Sequence, residues 1–355
     1  MPLPFRFAVA ALFCVATTAL ADGPKPAITK LSVHPAAVAM KGADDAPQLL
    51  VSGDRSPLAP VDLTGDAAYT VSDPKVARVD ATGRVYPLAN GTADVTVSAA
   101  GQTAKIAVTV SGMESYRPIN FTNQIEPVMT KLGCNSGGCH GKIQGQNGFR
   151  LSLLGYDPEL DYVTLLKESR GRRVFAADPD QSLLLLKGAG VAPHGGGKKM
   201  EVGSEEYKLI RRWVASGTPF GDATDPAVTR VSVVPESRVV DRQGRQQLAV
   251  YAHYSDGTTE DVTRRAQYES NETEVATVGE TGLVRTLKAT GQAAVMVRFN
   301  GHVATFRAVV PRPGAAPKFD FAEKTVVDRH TAAKWRELGL VPSQMSSDEA
   351  FVRRV

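Results

Sequence analysis

Ala93-Asp94-Val95-Thr96-Val97 and Lys105-Ile106-Ala107-Val108-Thr109-Val110 alternate apolar and polar side chains with a period of two. Successive side chains on a strand point to opposite faces, so this alternation predicts half-buried strands and not helix. Turn signals punctuate the pattern at Ala81-Thr82-Gly83 and Asn90-Gly91. Several such strands within about 80 residues predict a β-sandwich over 28–111. Aromatic residues make up only 6% of the chain, which suits thin β-domains with modest cores.

The pattern occurs twice. Asp62-Leu63-Thr64 returns as Asp261-Val262-Thr263, and Tyr69 as Tyr268. Val76-Ala77-Arg78-Val79 returns as Val275-Ala276-Thr277-Val278, and Gly83 as Gly282. After a one-residue insertion, Gly91, Val95, Val97 and Gly101 correspond to Gly291, Val295, Val297 and Gly301. Registered matches over roughly 40 residues mark a duplicated unit, with the second copy at 228–311. Both copies resemble the bacterial Ig-like group 2 domain through the Val-Ala-x-Val strand, its turn glycine and the Gly-x-Ala-x-Val-x-Val run. The resemblance implies scaffold domains. Contact with a glycan or a cell surface is the sharper alternative, although neither an aromatic cluster nor an acidic calcium loop accompanies it. Asp62 and Asp261 read as turn residues and not as metal ligands.

Between the copies lies Cys134-Asn135-Ser136-Gly137-Gly138-Cys139-His140. Two cysteines followed at once by histidine is the arrangement that attaches c-type haem, usually with two residues between the cysteines where this chain has four. Each thiol can add to a haem vinyl group, and His140 can then bind the iron. A disulfide is the competing reading, and zinc a weaker one, because zinc takes about four protein ligands and there is no second cysteine pair. Residues 1–21 read as a secretory signal: Arg6, an apolar run from Phe7 to Val15, and Ala19-Leu20-Ala21 before Asp22. The run is shorter than the roughly 20 residues of a membrane span. Cys14 lies inside it, which leaves Cys134 and Cys139 as the cysteines of the exported chain. Outside the cytoplasm two free thiols drift toward a disulfide unless something captures them, and haem attachment is such a capture.

Helical patterning surrounds the motif. Asn123 is placed to cap a helix bearing Ile125, Val128, Met129 and Leu132. Asp178-Pro179 opens another before Leu183 to Leu186, and Ser204 caps a third with Glu205 and Glu206 in its first turn. Tyr207, Ile210 and Val214, or Leu209 and Trp213, would form the third helix's buried stripe. The order of motifs over 113–221 resembles the cytochrome-c-like domain of planctomycete-type secreted multidomain proteins. It is carried by Cys134 to Gly141, Gly148 to Pro158, Gly171 to Val174, Ser182 to Lys187 and His194-Gly195-Gly196-Gly197. The family pattern includes the four-residue gap and the His-Gly-Gly-Gly run.

The resemblance implies an all-α cytochrome-c-like domain with covalent haem c, held by Cys134 and Cys139 and ligated by His140. The second axial ligand is expected from the loop before the last helix, with His194 preferred over Met200 and an open or water-bound position as the remaining alternative. Arg150, Arg172, Arg173, Lys198 and Lys199 are candidate partners for the haem propionates. The tail, 318–355, resembles the start of a further helical domain of the same proteins through Pro342-Ser343 and Ser347 to Val355.

The expected architecture is thus two all-β Ig-like sandwiches flanking an all-α haem domain, plus the beginning of a helical C-terminal domain. A formal charge of +4 without a long basic tract argues against nucleic acid as a partner. The expected function is an exported c-type cytochrome, periplasmic or at the cell surface, passing single electrons to a redox partner. The alternatives are a glycan-binding surface protein with a structural middle segment, and the redox module of an enzyme whose catalytic part lies elsewhere. Within these residues an electron carrier is expected ahead of a catalyst.

Overall fold

A computed structural model describes residues 27–56, 58–114, 116–314 and 318–354. The segment read as a secretory signal lies outside the described residues. The first β-unit begins with β1 (Lys30–His34), β2 (Ala37–Lys41), β3 (Leu50–Arg55) and β4 (Leu58–Asp62). It continues with β5 (Ala68–Val71), β6 (Ala77–Val79), β7 (Val85–Pro87), β8 (Gly91–Ala99) and β9 (Gln102–Ser111). One sheet has the order β1-β3-β4, the facing sheet β2-β9-β8-β5, and β6 pairs with β7. The alternating run that opened the sequence is the long β8–β9 hairpin, in which Val95 faces Ile106 and Val97 faces Ala104. Its inward side chains, Val95, Val97, Ile106, Val108 and Val110, are buried in the core of the unit. The outward residues stay exposed or half-buried, as the period-two pattern requires.

Four short helices follow: α1 (Glu126–Lys131), entered through a π-turn at Phe121–Ile125, then α2 (Pro158–Leu166), α3 (Leu183–Gly188) and α4 (Glu205–Ala215). The second β-unit runs through β10 (Val228–Val234), β11 (Ser237–Val239), β12 (Arg245–Gln247), β13 (Ala249–Tyr254) and β14 (Thr259–Asp261). It closes with β15 (Gln267–Ser270), β16 (Ala276–Val278), β17 (Leu283–Thr286), β18 (Gly291–Phe299) and β19 (His302–Val310). Its sheets, β10-β13-β14 and β11-β19-β18-β15, reproduce the strand order of the first unit. The tail adds α5 (Val326–Leu338) and α6 (Asp348–Val352).

This corrects the expected fold class. The chain is mostly β-sheet with a few short helices, and residues 113–221 do not form a large all-α cytochrome domain. The longest helix there, α4, has 11 residues, and α1 and α3 have six each. The physical reason is local. Gly133, Gly145, Gly148 and Gly155 all take positive φ, and so do Asn147 and Leu154. That conformation ends a helix, so the stretch after α1 is a chain of turns. Helix caps also shift from expectation. Asn120, not Asn123, accepts from the Asn123 amide at 3.0 Å, whereas Ser204 caps α4 as read, and Ser347 caps α6. The tail holds two helices, of 13 and 5 residues, and no further packed helical domain among the described residues.

The two β-units dock through equivalent residues. The Gln48 amide donates to Asp261 Oδ2 at 2.8 Å, and the Gln247 amide donates to Asp62 Oδ2 at 2.8 Å. Each glutamine side chain braces its own unit: Gln48 Nε2 donates to the Leu49 and Thr82 carbonyls, Gln247 Nε2 to those of Leu248 and Thr281. The relation is that of an isologous dimer interface, built here within one chain. Asp62 and Asp261 do form the turns expected of them, accepting from the Thr64 and Thr263 amides. Their second carboxylate oxygen makes the inter-unit contact, a role the sequence did not suggest. Burial pushes both carboxyls above their usual range despite these hydrogen bonds.

The helical segment is clamped against both units. Lys131 at the end of α1 donates to the Ala266 and Glu280 carbonyls of the second unit at 2.8 and 2.7 Å. On α4, Glu205 pairs with Arg84 of the first unit at 2.7 Å.

Candidate functional site

The cysteine motif is a closed loop hung from the end of α1. Cys134 N donates to the Met129 carbonyl, Cys139 N to Ser136, and His140 N to the Cys134 carbonyl at 3.0 Å. Gly141 folds so tightly over the loop that any Cβ there would collide with the Asn135 carbonyl. Cys134 and Cys139 are both free thiols. Burial pushes the Cys134 thiol up to about 12, which leaves it protonated and weakly reactive on its own.

Asn135 anchors the loop. Its side chain is fully buried and donates to Glu126 Oε1 at 2.8 Å and Thr130 Oγ1 at 2.7 Å, while its carbonyl accepts from Leu154 N. Asp161, also buried, accepts from Ser152 Oγ at 2.6 Å. Burial, and after it the charge of Asp161, push the Glu126 carboxyl well above the usual carboxylate range. Burial raises the Asp161 carboxyl as well, so the pair sits where a proton is favoured, and Glu126 Oε2 has no hydrogen-bond partner among the described residues. Sequence reading missed this group, because Glu126, Asn135, Ser152 and Asp161 meet only through the tertiary fold.

His140 and His194 come together. Their rings lie 6.3 Å apart, centre to centre, with only 9° between planes. His140 Nδ1 is 3.0 Å from the Phe149 carbonyl, and His194 Nδ1 is 2.9 Å from the Gly197 carbonyl. A carbonyl only accepts, so each Nδ1 carries the proton and each Nε2 keeps its lone pair. This is how proteins orient metal-binding histidines. Burial is the main cause that lowers the His140 pKa, against the hydrogen bond to the Phe149 carbonyl, which raises it, and the balance favours the neutral imidazole. Gly196 borders the His194 ring: a Cβ there would stand 3.3 Å from Nε2, so the glycine keeps that edge open.

Met200, the other candidate, is 7% exposed in the core of the helical segment. A Cβ at Gly188 would come within 2.7 Å of its Cε, so its thioether fills core space against α3. Arg173 is buried and committed: its guanidinium donates to the Thr164, Glu168 and Gly148 carbonyls and stacks on Phe149. These bonds make it a structural group of this segment. Arg150 and Arg172 are exposed, Lys199 is half-buried, and Lys198 pairs with Glu201. Among the described residues no three His, Cys, Asp or Glu side chains gather as a metal site.

Comparison with known proteins identifies the β-units. The bacterial Ig-like domain family matches residues 65–112, and the bacterial Ig-like domain (group 2) family matches 227–302. The protein is thus multidomain, with two bacterial Ig-like domains. No curated protein matches the chain. Among solved structures, the S-layer protein rSbsC(31-844) is 12% identical, with 84% of this chain and 30% of that chain covered at a TM-score of 0.23. Domains 5-6 of the S-layer protein SbsC are 12% identical, with 80% of this chain and 98% of that chain covered at a TM-score of 0.31. InvD of Yersinia pseudotuberculosis is 9% identical over 82% of this chain and 59% of that chain, with a TM-score of 0.16. The chain spans under a third of the length of rSbsC(31-844). No helix among the described residues is long and apolar enough to cross a membrane.

Proposed function

We propose that the segment between the Ig-like domains holds a covalent haem and passes single electrons, with the Ig-like domains as its rigid mount. The observation that carries this reading is the His140–His194 pair, parallel at 6.3 Å with both Nδ1 atoms fixed by carbonyls. With Nδ1 bonded to a carbonyl in each ring, His140 and His194 would be the two side chains to hold the iron through Nε2. Two protein ligands are too few for a zinc site but suffice for a metal whose other donors come from a macrocycle. The free thiols of Cys134 and Cys139 sit on the loop that presents His140, where thioether attachment requires them. The donor set fits haem c.

When bound, the haem supplies an iron that gains and loses one electron. The chain's own residues do the rest. Phe149 and Gly197 carbonyls hold the imidazoles in one tautomer, Gly196 leaves the His194 edge unobstructed, and Asn135 fixes the attachment loop to α1. The order of motifs, similar to that of planctomycete-type secreted proteins, supports the reading without the all-α fold it implied. Export to the periplasm or cell surface, where covalent attachment takes place in bacteria, belongs to the same proposal, as does a redox partner protein.

Expression with a haem-maturation system, followed by denaturing electrophoresis and haem staining, tests it. The stain should stay with the chain and disappear in Cys134→Ala/Cys139→Ala. An unstained parent protein that is folded and exported would overturn the reading.

A further inference from the structure

A cleft of about 660 Å³ opens where the first Ig-like domain, α4 and the second Ig-like domain meet. That size takes a ligand of several rings or a smaller anion with its water. Its walls are dense in arginine. Most of these are neutralised: Arg84 by Glu205 at 2.7 Å, Arg117 by Asp45 at 3.2 Å, Arg265 by Glu260 at 2.7 Å, and Arg212 by Asp44.

Two are not. Arg264 donates only to neutral groups, Gln48 Oε1 at 2.8 Å and Thr82 Oγ1 at 3.0 Å, and its buried Nε has no partner. Arg78 lies 3.7 Å over the Tyr86 ring and, among the described residues, has no carboxylate partner. Arg84 approaches the same ring, at 4.9 Å. Burial, and after it the charge of Arg84, lower the Arg264 pKa, with the charge of Asp80 acting the other way. Arg264, half-buried with no carboxylate at hydrogen-bond distance, carries a desolvation cost that an anion would offset, and the exposed Arg78 supplies a second guanidinium beside it in the cleft lining. Their planar N–H forks match the oxygens of carboxylate, sulfate and phosphate.

We propose that this three-domain cleft is an oxyanion-binding site, in which Arg264 and Arg78 take a carboxylate, sulfate or phosphate group. The site is independent of the haem reading. It lies between elements of all three segments, so a bound anion would also tie them together.

The experiment is calorimetric titration of the full chain at fixed ionic strength, set with chloride. Sulfate, phosphate, a glucuronate-containing disaccharide and a sulfated disaccharide serve as probes. Saturable binding of at least one probe is expected, weakened at least tenfold in Arg78→Met and in Arg264→Met. Arg78 makes no hydrogen bond that the fold depends on, so its variant stays folded and keeps the test decisive. Tighter binding of a saccharide than of the free ions would assign the anion to an acidic glycan, and the reverse to a free inorganic anion. No saturable binding by any probe, or equal binding by parent and Arg78→Met, would overturn the proposal. Arg298→Gln, a half-buried arginine paired with Glu269 and outside the lining of this cleft, is the control and should bind as the parent does.

Discussion

At the scale of single residues, the site turns on which side chain stands across from His140. His194 has the oriented imidazole, and Met200 has a core position. Met200→Leu should therefore leave the axial spectrum of the loaded protein unchanged and cost under about 1.5 kcal/mol, as volume-conserving core swaps do. His194→Ala should change the visible spectrum of the oxidised protein. The opposite pattern would make Met200 the ligand. Glu126 offers a second test. Burial and the Asp161 charge push its carboxyl well above the usual range, so the folded state holds a proton to higher pH than the unfolded chain does. Stability from this group is full below the usual carboxylate range and is lost as pH rises toward the raised folded value. Glu126→Gln keeps a neutral side chain at every pH. Urea unfolding should show it close to the parent at low pH and more stable at pH 8. A variant less stable than the parent at both pH values would contradict the protonation assigned here. His140 has the opposite sign. Its lowered pKa gives stability that is present above the usual histidine value and is lost as pH falls through the folded one.

Among the elements, α4 holds the helical segment together. Ser204 caps it, and Tyr207, Ile210, Trp213 and Val214 form its buried face. Trp213 is fully buried, lies 5.5 Å from the Phe121 ring and donates Nε1–H to the Pro219 carbonyl at 2.9 Å. Trp213→Ala should cost about 3–5 kcal/mol in chemical denaturation, whereas a loss under about 1 kcal/mol would show that α4 is not the keystone of this core. The cap and stripe of α4 were legible in the sequence because both are set by residues close in the chain. The β8–β9 hairpin was legible for the same reason, since period-two alternation survives wherever one face is buried. The extent of helix between them was not. Apolar spacing around Ile125 and Leu185 marks helix, but Gly133, Gly145, Gly148 and Gly155 adopt positive φ and turn the segment after α1 into loops. The helix α2 begins right after Tyr156-Asp157, inside the stretch Gly148 to Pro158 that carried the resemblance and not a helix signal. Asp157 caps it, accepting from Leu160 N at 3.1 Å. Of the site, the cysteines and both histidines stand in the motifs themselves, while the Glu126–Asn135–Asp161 group depends on contacts that no local pattern encodes.

Over the whole molecule, the repeat has a consequence beyond two similar domains. Gln48 with Asp261, and Gln247 with Asp62, lock the Ig-like domains face to face, and the helical segment is held between them by Lys131 and Glu205. Asp62→Asn and Asp261→Asn each replace an inter-domain acceptor with a donor. Each should cost about 1–3 kcal/mol and expose the domain junction to limited proteolysis to a similar degree. Unchanged stability and proteolysis in both variants would mean that the reciprocal contact does not hold the domains. This rigid frame is what would keep a haem at a fixed orientation toward a partner. The central claim is that the frame holds one such group per chain, fixed by two thioethers. A pyridine haemochrome spectrum of protein exported with its maturation system tests it most directly. The predicted result is one haem per chain with the spectrum of a haem whose two vinyl groups are saturated. Absence of haem, or a spectrum with both vinyl groups intact, would contradict it.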